Sequence, residues 1–510
     1  MHKLALGTLK QTDDPFKTYW SRDYTGIFYC NKFLKDNIGL NTQYLVNHQQ
    51  DSILRHNYHG DAYGLRAWFQ YDLLKKFGGW AENGQLLGVP IILEDFDQNT
   101  ADQNQIGRNT YDECVQQILD DCDSALVYLP YANRDWCAEN LSVQGAMRWQ
   151  KLDQVSIIAL KALVYLMWAS DAYNPDNDVT RWEKAAEYAA QAIMFKLEKD
   201  GTHGFDPKAP VDWMDPNSPE MYWASRAMGA GNTMEASQYP NAFRGSALYA
   251  PTQELVDAFP MANGYPITDY RSGYDPSNPY EGRDPRFYST IFHHGSQVIR
   301  TSNSEIMFTF DTKAGGRDMN GLTNNGLTNY YLKKYVYLEW NRNDKTVQQM
   351  PRCVFLIRWT DMLLAFAEAS NRAYGPVDSR FGISAKEAIR YIRARTTPDG
   401  QEGIAAMSDP YLEECAYSTE MFEALVRNER RLETCFEGKR FFDLSRWNIP
   451  LYERNATVHR VEITGTDDDL DYEYVEADMR NLSSASWPIP YTEMVNADAL
   501  VQNVGWESWK

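Results

Sequence analysis

The sequence predicts a mainly α fold in which tetratricopeptide-like helical hairpins form a scaffold around a loop-rich lobe containing short β-strands. Three observations carry this prediction. Apolar residues recur at steps of three and four in the first and last thirds of the 510-residue chain. A hydroxyl followed three residues later by glutamate stands before several of those runs, a pattern that satisfies orphan N–H donors at a helix start. Between Lys199 and Met350 lie 13 of the 31 glycines and 11 of the 22 prolines, too many helix breakers for packed helices. The chain therefore divides into an N-terminal helical part (1–198), a loop-rich ligand-binding lobe (199–350) and a C-terminal helical part (351–510), read as one intertwined unit. It exceeds the roughly 250–300 residues at which single cores usually stop growing.

The elements follow in order. Leu65, Trp68, Phe69 and Leu73 share a helix face that Gly78 and Gly79 end. Val115, Ile118, Cys122, Leu126 and Leu129 mark a second helix, stopped by Pro130. Val155–Ala169 is apolar nearly all round apart from Lys161; it falls short of the roughly 18 residues a membrane span needs and reads as a core helix. Trp182, Ala185, Ala189 and Ile193 line a fourth. Capping boxes are expected at Thr110–Glu113, Thr180–Glu183 and Ser384–Glu387. In the C-terminal part, Phe355, Trp359, Met362, Phe366 and Ala369 keep helical spacing up to Gly375-Pro376, and Phe422, Leu425, Glu429, Leu432 and Phe436 do the same. Helices of similar size in succession suggest hairpins of the tetratricopeptide kind, without a strict 34-residue repeat. The middle lobe offers strand candidates at Tyr288–Phe292, Glu305–Phe310 and Tyr335–Glu339.

A net charge of −20 argues against nucleic acid or an anionic membrane as partner, since phosphate binding needs a clustered basic surface. Aromatic residues make up 14% of the chain, with 33 Tyr and 15 Trp, and flat amphipathic rings suit partly apolar ligands such as sugars. The seven cysteines form no CxxC pair and are odd in number, which speaks against a disulfide framework or zinc site. His56, His59, His293 and His294 have no third ligand at a zinc-site spacing. No cofactor is expected. Asp176-Asn177-Asp178 and Asp467-Asp468-Asp469 with Asp471 offer hard oxygen ligands for calcium, against the plainer reading of solvated acidic turns. No charged-then-apolar leader precedes Leu4.

Function enters through motifs. The run from Glu429 to Trp447, ERRLETCFEGKRFFDLSRW, resembles the C-terminal hallmark of the SusD/RagB family. Its glycine suits a left-handed helix end, and Glu429, Arg430, Glu433, Arg440, Asp443 and Arg446 call for a charge-paired lattice between helices. Further segments match the family in the same order: Leu65–Leu74 with Phe77–Gly79, Leu255–Gly264, Arg283–Phe287, Ile357–Ala369 with Asp361 where glutamate is usual, and finally Pro488–Pro490, Glu493 and Gln502-Asn503. Together they span the chain from about residue 60 to its end.

The resemblance implies non-catalytic capture of an oligosaccharide, or of peptide in RagB-like members, and delivery to a SusC-like TonB-dependent transporter in the outer membrane. It also implies a lipid anchor at the cell surface, although Cys30 lies too far inside to be the lipidated residue. Trp80 and Asn83 stand where some glycan-binding relatives place an aromatic and an amide. Trp213, Tyr222, Trp223, Tyr239 and Arg244 precede the Leu255–Gly264 segment as a candidate aromatic platform; Tyr274, with Arg271 and Tyr280, offers a weaker one. The rivals are a glycoside hydrolase, which needs two opposed carboxylates, and a helical-repeat adaptor that binds proteins alone. No acidic residue sits in a recognisable catalytic motif, and GxSxG, HExxH and P-loop patterns are missing from the sequence.

Overall fold

The computed structural model describes residues 2–93, 105–133, 142–200, 205–213, 215, 218–225, 233–300, 302–319, 327–339, 354–404 and 408–509. It is 46% helix and 11% strand. The scaffold helices of the first part are α1 (Lys17–Leu34), α2 (His48–Phe77), α3 (Tyr111–Tyr128), α4 (Gln154–Ala169) and α5 (Val179–Met194). Those of the last part are α6 (Trp359–Tyr374), α7 (Ala385–Arg393), α8 (Thr419–Glu433) and α9 (Arg440–Arg446). Each of α1 to α4 packs on the next, and α5 packs directly on α6, so the two helical parts form one continuous stack. A single apolar cluster accordingly draws residues from Leu4 to Trp509.

Local chemistry sets the boundaries. Thr110 and Glu113 form the expected reciprocal cap at the start of α3, and Ser384 with Glu387 does so for α7. At α5 the expected Thr180–Glu183 box is replaced: Asp178 is the N-cap and its carboxylate accepts from the Thr180 N–H at 2.9 Å. A carboxylate two residues upstream starts the helix early and leaves Thr180 inside its first turn. Phe355 keeps helical spacing with Trp359 but belongs to a strand, β8 (Phe355–Arg358), which pairs antiparallel with β3 (Met221–Ala224). Phe436 lies beyond the end of α8, at φ +60.

The remaining strands form small antiparallel pairs: β1 (Gly79–Trp80) with β2 (Leu86–Leu87), β4 (Ile291–Phe292) with β7 (Tyr331–Leu332), and β5 (Gln297–Ile299) with β6 (Ile306–Thr309). Tyr288 to Thr290 are helical rather than extended, because Asp284 and Pro285 start a short helix at Pro285–Thr290. The strand expected at Tyr335–Glu339 is a turn region, and pairing occurs earlier, at Tyr331–Leu332. The longest pair, β9 (Thr457–Thr466) with β10 (Asp469–Met479), was not expected. Asp467 and Asp468 form its two-residue turn, and Asp467 is ion-paired to Lys313.

Two smaller apolar clusters support the lobe. One gathers Phe292, Val298, Phe308, Phe310 and Tyr331. The other joins Val256, Phe259 and Phe287 to Leu432 of α8 and to Val461 and Ile463 of β9. The expected charge lattice reinforces this seam. Glu429, fully buried, accepts from Arg286 at 2.7 Å and from Arg393 at 2.6 Å. Arg286 also holds Asp284 and Glu433, while Arg393 reaches Asp409. Further along, Asp443 accepts from both Arg430 and Arg446, and Arg446 clamps Glu368 of α6. Arg440 joins through the face of Trp447, 5.7 Å from its ring centre. The motif thus knits α6, α8, α9 and the lobe. Burial of so many charges is tolerable because Glu429, Arg430, Glu433, Asp443 and Arg446 are each ion-paired.

Candidate functional site

The fold creates two candidate surfaces, and the first begins where α2 stops. Gly78 caps the helix and Gly79 takes φ +154; a Cβ at Gly79 would run into Ser486 Oγ. The C-terminal segment then pins this turn. Gln502 exchanges hydrogen bonds with the backbone of Ile489 at 2.8 and 3.0 Å. The Asn503 amide donates to the carbonyls of Phe77 and Trp487 at 2.9 and 2.7 Å, and the Val504 N–H donates to the Trp80 carbonyl at 3.1 Å.

Held in this way, Trp80 donates its indole N–H to the carbonyl of Ala172 at 3.1 Å and remains 44% exposed. Its polar edge is committed and its apolar face is open, which is the geometry of a stacking shelf. Asn83, exposed at the tip of the same turn, accepts from the Gln85 N–H at 3.1 Å and donates to Gln85 Oε1 at 2.9 Å. It shapes the turn first, and one amide hydrogen stays available to a ligand hydroxyl.

The second surface is a cavity of about 470 Å³ between the lobe and the C-terminal helices. Trp213 forms one wall, stacked on Phe355 at 5.3 Å and edge-on to Tyr335 at 4.8 Å. The guanidinium of Arg358 and the ammonium of Lys334 lie 5.2 and 5.0 Å from its ring centre. Opposite stand Lys333, whose ammonium donates to the Tyr288 carbonyl at 2.8 Å, and Asp399, 3.5 Å from it. Burial pulls the Lys333 pKa below its ordinary value, against the opposing pull of Asp399. Arg395 donates to Thr360 Oγ1 at 2.9 Å, while its Nη2 is buried without a hydrogen-bond acceptor among the described residues. An aromatic wall with a few convergent polar groups is the usual make-up of a small-ligand pocket.

The other expected residues do not join these surfaces. Tyr222 and Trp223 sit in β3 with their rings in the main core; the Tyr222 hydroxyl donates to the Ala192 carbonyl at 2.7 Å and Trp223 meets the ring of Trp68 edge-on. Tyr239 is fully buried against Phe243 in the lobe's own cluster. The five-residue platform is therefore corrected: pairing of β3 with β8 turns two of its rings inward, and of its four aromatic residues Trp213 is the one that lines this cavity. Arg244 is exposed, in the left-handed conformation after a short 3-10 turn. Tyr274 is half-buried, 5.6 Å from the Arg283 guanidinium, and Arg271 is held by Asp269 and Glu414. Tyr280 is buried. Lys333, Arg395 and Asp399 were missed, because nothing in the local sequence ties them to Trp213 so far away in the chain.

Of the possible calcium ligands, Asp178 caps α5 and Asp467 pairs with Lys313. Among the described residues, no cluster of three or more His, Cys, Asp or Glu converges as a metal site. Cys30, Cys114, Cys122, Cys415 and Cys435 are free and buried, whereas Cys137 and Cys353 lie outside the described residues.

A continuous helical stack carrying a looped lobe defines a mainly helical scaffold with two candidate ligand surfaces, an aromatic shelf and a lined cavity. Comparison with known proteins makes this specific. The model of the SusD family matches residues 212–506, and a second model, described as starch-binding associating with outer membrane, matches residues 3–139. The chain belongs to the SusD family. A SusD-like protein from Bacteroides fragilis superimposes with a TM-score of 0.72 at 24% identity, over 99% of this chain and 88% of that one. A SusD-like carbohydrate binding protein from the same organism gives 0.68 at 18%, over 98% and 88%. Surface glycan-binding protein A from Bacteroides fluxus gives 0.57 at 18%, over 98% and 88%. A search of curated protein sequences found no match.

Proposed function

We propose that this protein captures an oligosaccharide at the outer face of the outer membrane and passes it, chemically unchanged, to a SusC-like TonB-dependent transporter. The observation that carries this reading is the Trp80 shelf: a large indole face left open to solvent while its N–H, its backbone and its flanking turn are all fixed from within. A pyranose presents an apolar C–H face that stacks on such a ring, and preorganisation removes the entropy cost of ordering it. Asn83 then supplies a donor to a hydroxyl. The family description as starch-binding and outer-membrane-associated supports both the ligand class and the location, as do the carbohydrate- and glycan-binding names of two structural relatives. No covalent step is needed for capture, so no catalytic residue is assigned.

The test is a glycan and peptide array probed with the purified protein, followed by titration of the best ligand against Trp80→Ala. Binding to a glycan family, weakened about tenfold or more by the variant, is expected. Binding confined to peptides, or hydrolysis of the bound glycan, contradicts the proposal.

A further inference from the structure

We infer a second binding site, separate from the Trp80 shelf, for a sugar that carries a primary ammonium group, such as a 2-amino-2-deoxyhexose, in the cleft between α1 and the short helix Tyr491–Asn496. The choice of a sugar rests on the capture reading above; the site itself uses neither Trp80 nor Asn83. The cleft has a volume of about 570 Å³, within the range that holds small ligands. Its third side is the stretch that follows β2, and two side chains of α1 tie that wall in place. The Tyr24 hydroxyl donates to the Pro90 carbonyl at 2.8 Å, and the Asn31 amide donates to the Ile92 carbonyl at 2.9 Å. A cleft braced in this way needs little ordering when a ligand enters.

Trp20, Tyr24 and Phe28 stand four residues apart on α1 and share one face of it. Trp20 is buried, its ring 4.9 Å from that of Tyr24, and Phe28 is 38% exposed. The Lys32 ammonium lies 4.7 Å from the Phe28 ring centre, so that ring is shared and Tyr24 offers the freer one. Among the described residues, Glu493 is the one charged side chain that lines the cleft, and it forms no ion pair. Two charges act on it from outside, Lys17 and Asp14, and they are opposite in sign. Lys17 is exposed and screened by water and salt, while Asp14 is spent on the N–H groups of Phe16 and Tyr491. Burial accordingly lifts the Glu493 pKa above its ordinary value, and Lys17 and the Thr492 hydroxyl offset this only in part. Burial also holds the Tyr24 phenol well above its ordinary pKa, and the Glu493 charge adds to that, which sets the carboxylate near Tyr24. Arg108, which acts on the same phenol, is spent on the carbonyls of Phe77, Leu87, Gly88 and Val501. An ammonium group answers this arrangement: it makes charge-assisted hydrogen bonds to the carboxylate and is attracted to the ring beside it. Ser21, Thr25 and Asn496, exposed on the cleft lining, can meet the sugar hydroxyls. A neutral sugar would leave Glu493 without a countercharge, and a bare ammonium would leave the rings and hydroxyl partners unused.

Ligand-observed NMR titration of the full chain with D-glucosamine, N-acetyl-D-glucosamine and methylammonium chloride, in buffer just below neutral pH, tests the site. Saturable glucosamine binding is expected, with the neutral acetylated sugar and the bare cation each at least about tenfold weaker. Glu493→Gln should weaken glucosamine about tenfold or more and bring it level with N-acetylglucosamine. Phe28→Ala, a change at an exposed ring, should weaken it about threefold or more. Trp80→Ala, and Glu473→Gln as the same charge change on the exposed face of β10, should leave it unchanged. Circular dichroism checks that Glu493→Gln is folded, and Phe28→Ala decides if it is not. The inference is overturned if glucosamine shows no saturable binding, if N-acetylglucosamine or methylammonium binds as well, if a folded Glu493→Gln or Phe28→Ala binds like wild type, or if Glu473→Gln weakens binding equally. Loss of glucosamine binding in Trp80→Ala overturns it too, by moving the ligand to the shelf, whereas failure of the shelf alone leaves this titration unchanged.

Discussion

Replacing Glu368 by glutamine should destabilise the fold by about 3 kcal/mol at neutral pH. Glu368 lies on α6 and is 3% exposed. Arg446 grips it with two nitrogens, at 2.5 and 2.7 Å, and the Trp447 indole N–H donates to it at 2.7 Å. Burial pushes its carboxyl pKa up, but the charge and hydrogen bonds of Arg446 more than offset this and hold it at about 2, against an ordinary 4.5. Each tenfold difference in proton affinity is worth about 1.4 kcal/mol, so the gap amounts to about 3 kcal/mol in favour of the folded state. That agrees with the usual cost, about 3–5 kcal/mol, of removing one partner from a buried ion pair.

The sign follows from the direction. A carboxyl with a folded pKa below its unfolded one stabilises at pH values above about 4.5, and that contribution fades as pH falls towards 2. Urea unfolding of wild type and Glu368→Gln at pH 7, 5 and 3 should show a gap that is full at 7 and shrinks at 3. A loss below about 1 kcal/mol at pH 7, or a gap that does not change with pH, refutes the reasoning.

Two further outcomes probe the scaffold around the shelf. Asn503→Ala removes an amide that donates to Phe77 and Trp487 and accepts from Arg108 at 2.9 Å; about 2–3 kcal/mol should be lost in a thermal or urea melt, with weaker glycan binding because the Trp80 turn loosens. Tyr222→Phe removes the hydrogen bond to Ala192 from a buried ring; about 1 kcal/mol should be lost in the same melt with glycan affinity unchanged, as expected of a core residue outside the site.

Much of the scaffold was legible because helices advertise themselves locally. The apolar stripe from Leu65 to Leu73 and the caps at Thr110 and Ser384 each depend on residues within one or two turns. Asp178 was passed over for Thr180 because two good caps stand two residues apart, and only the helix start decides between them. Phe355 misled for a different reason: it sits four residues before Trp359, in register with a helix, yet pairing with β3 far upstream makes it a strand. The β9–β10 hairpin escaped notice because its turn and second strand carry Asp467, Asp468, Asp469 and Asp471, and acid density suggested a solvated turn, or else an ion site, rather than a strand.

The candidate site was less legible still. Trp80 is readable from its neighbours, the helix end and the glycines. By contrast Trp213, Trp223 and Tyr239 look alike in sequence, and only long-range packing separates a cavity wall from two core residues. The Glu429–Trp447 motif was legible as a charge lattice. Its partners Arg286, Glu368 and Arg393 come from three other segments of the chain, so which charges pair is decided only by the fold.

The most direct measurement is calorimetric titration of the best glycan from the array into wild type and Trp80→Ala, with the recovered glycan analysed after incubation. Capture on the indole shelf predicts saturable binding, an affinity about tenfold or more weaker in a folded Trp80→Ala protein, and glycan recovered intact. Equal affinity in the two proteins, or a cleaved glycan, contradicts it.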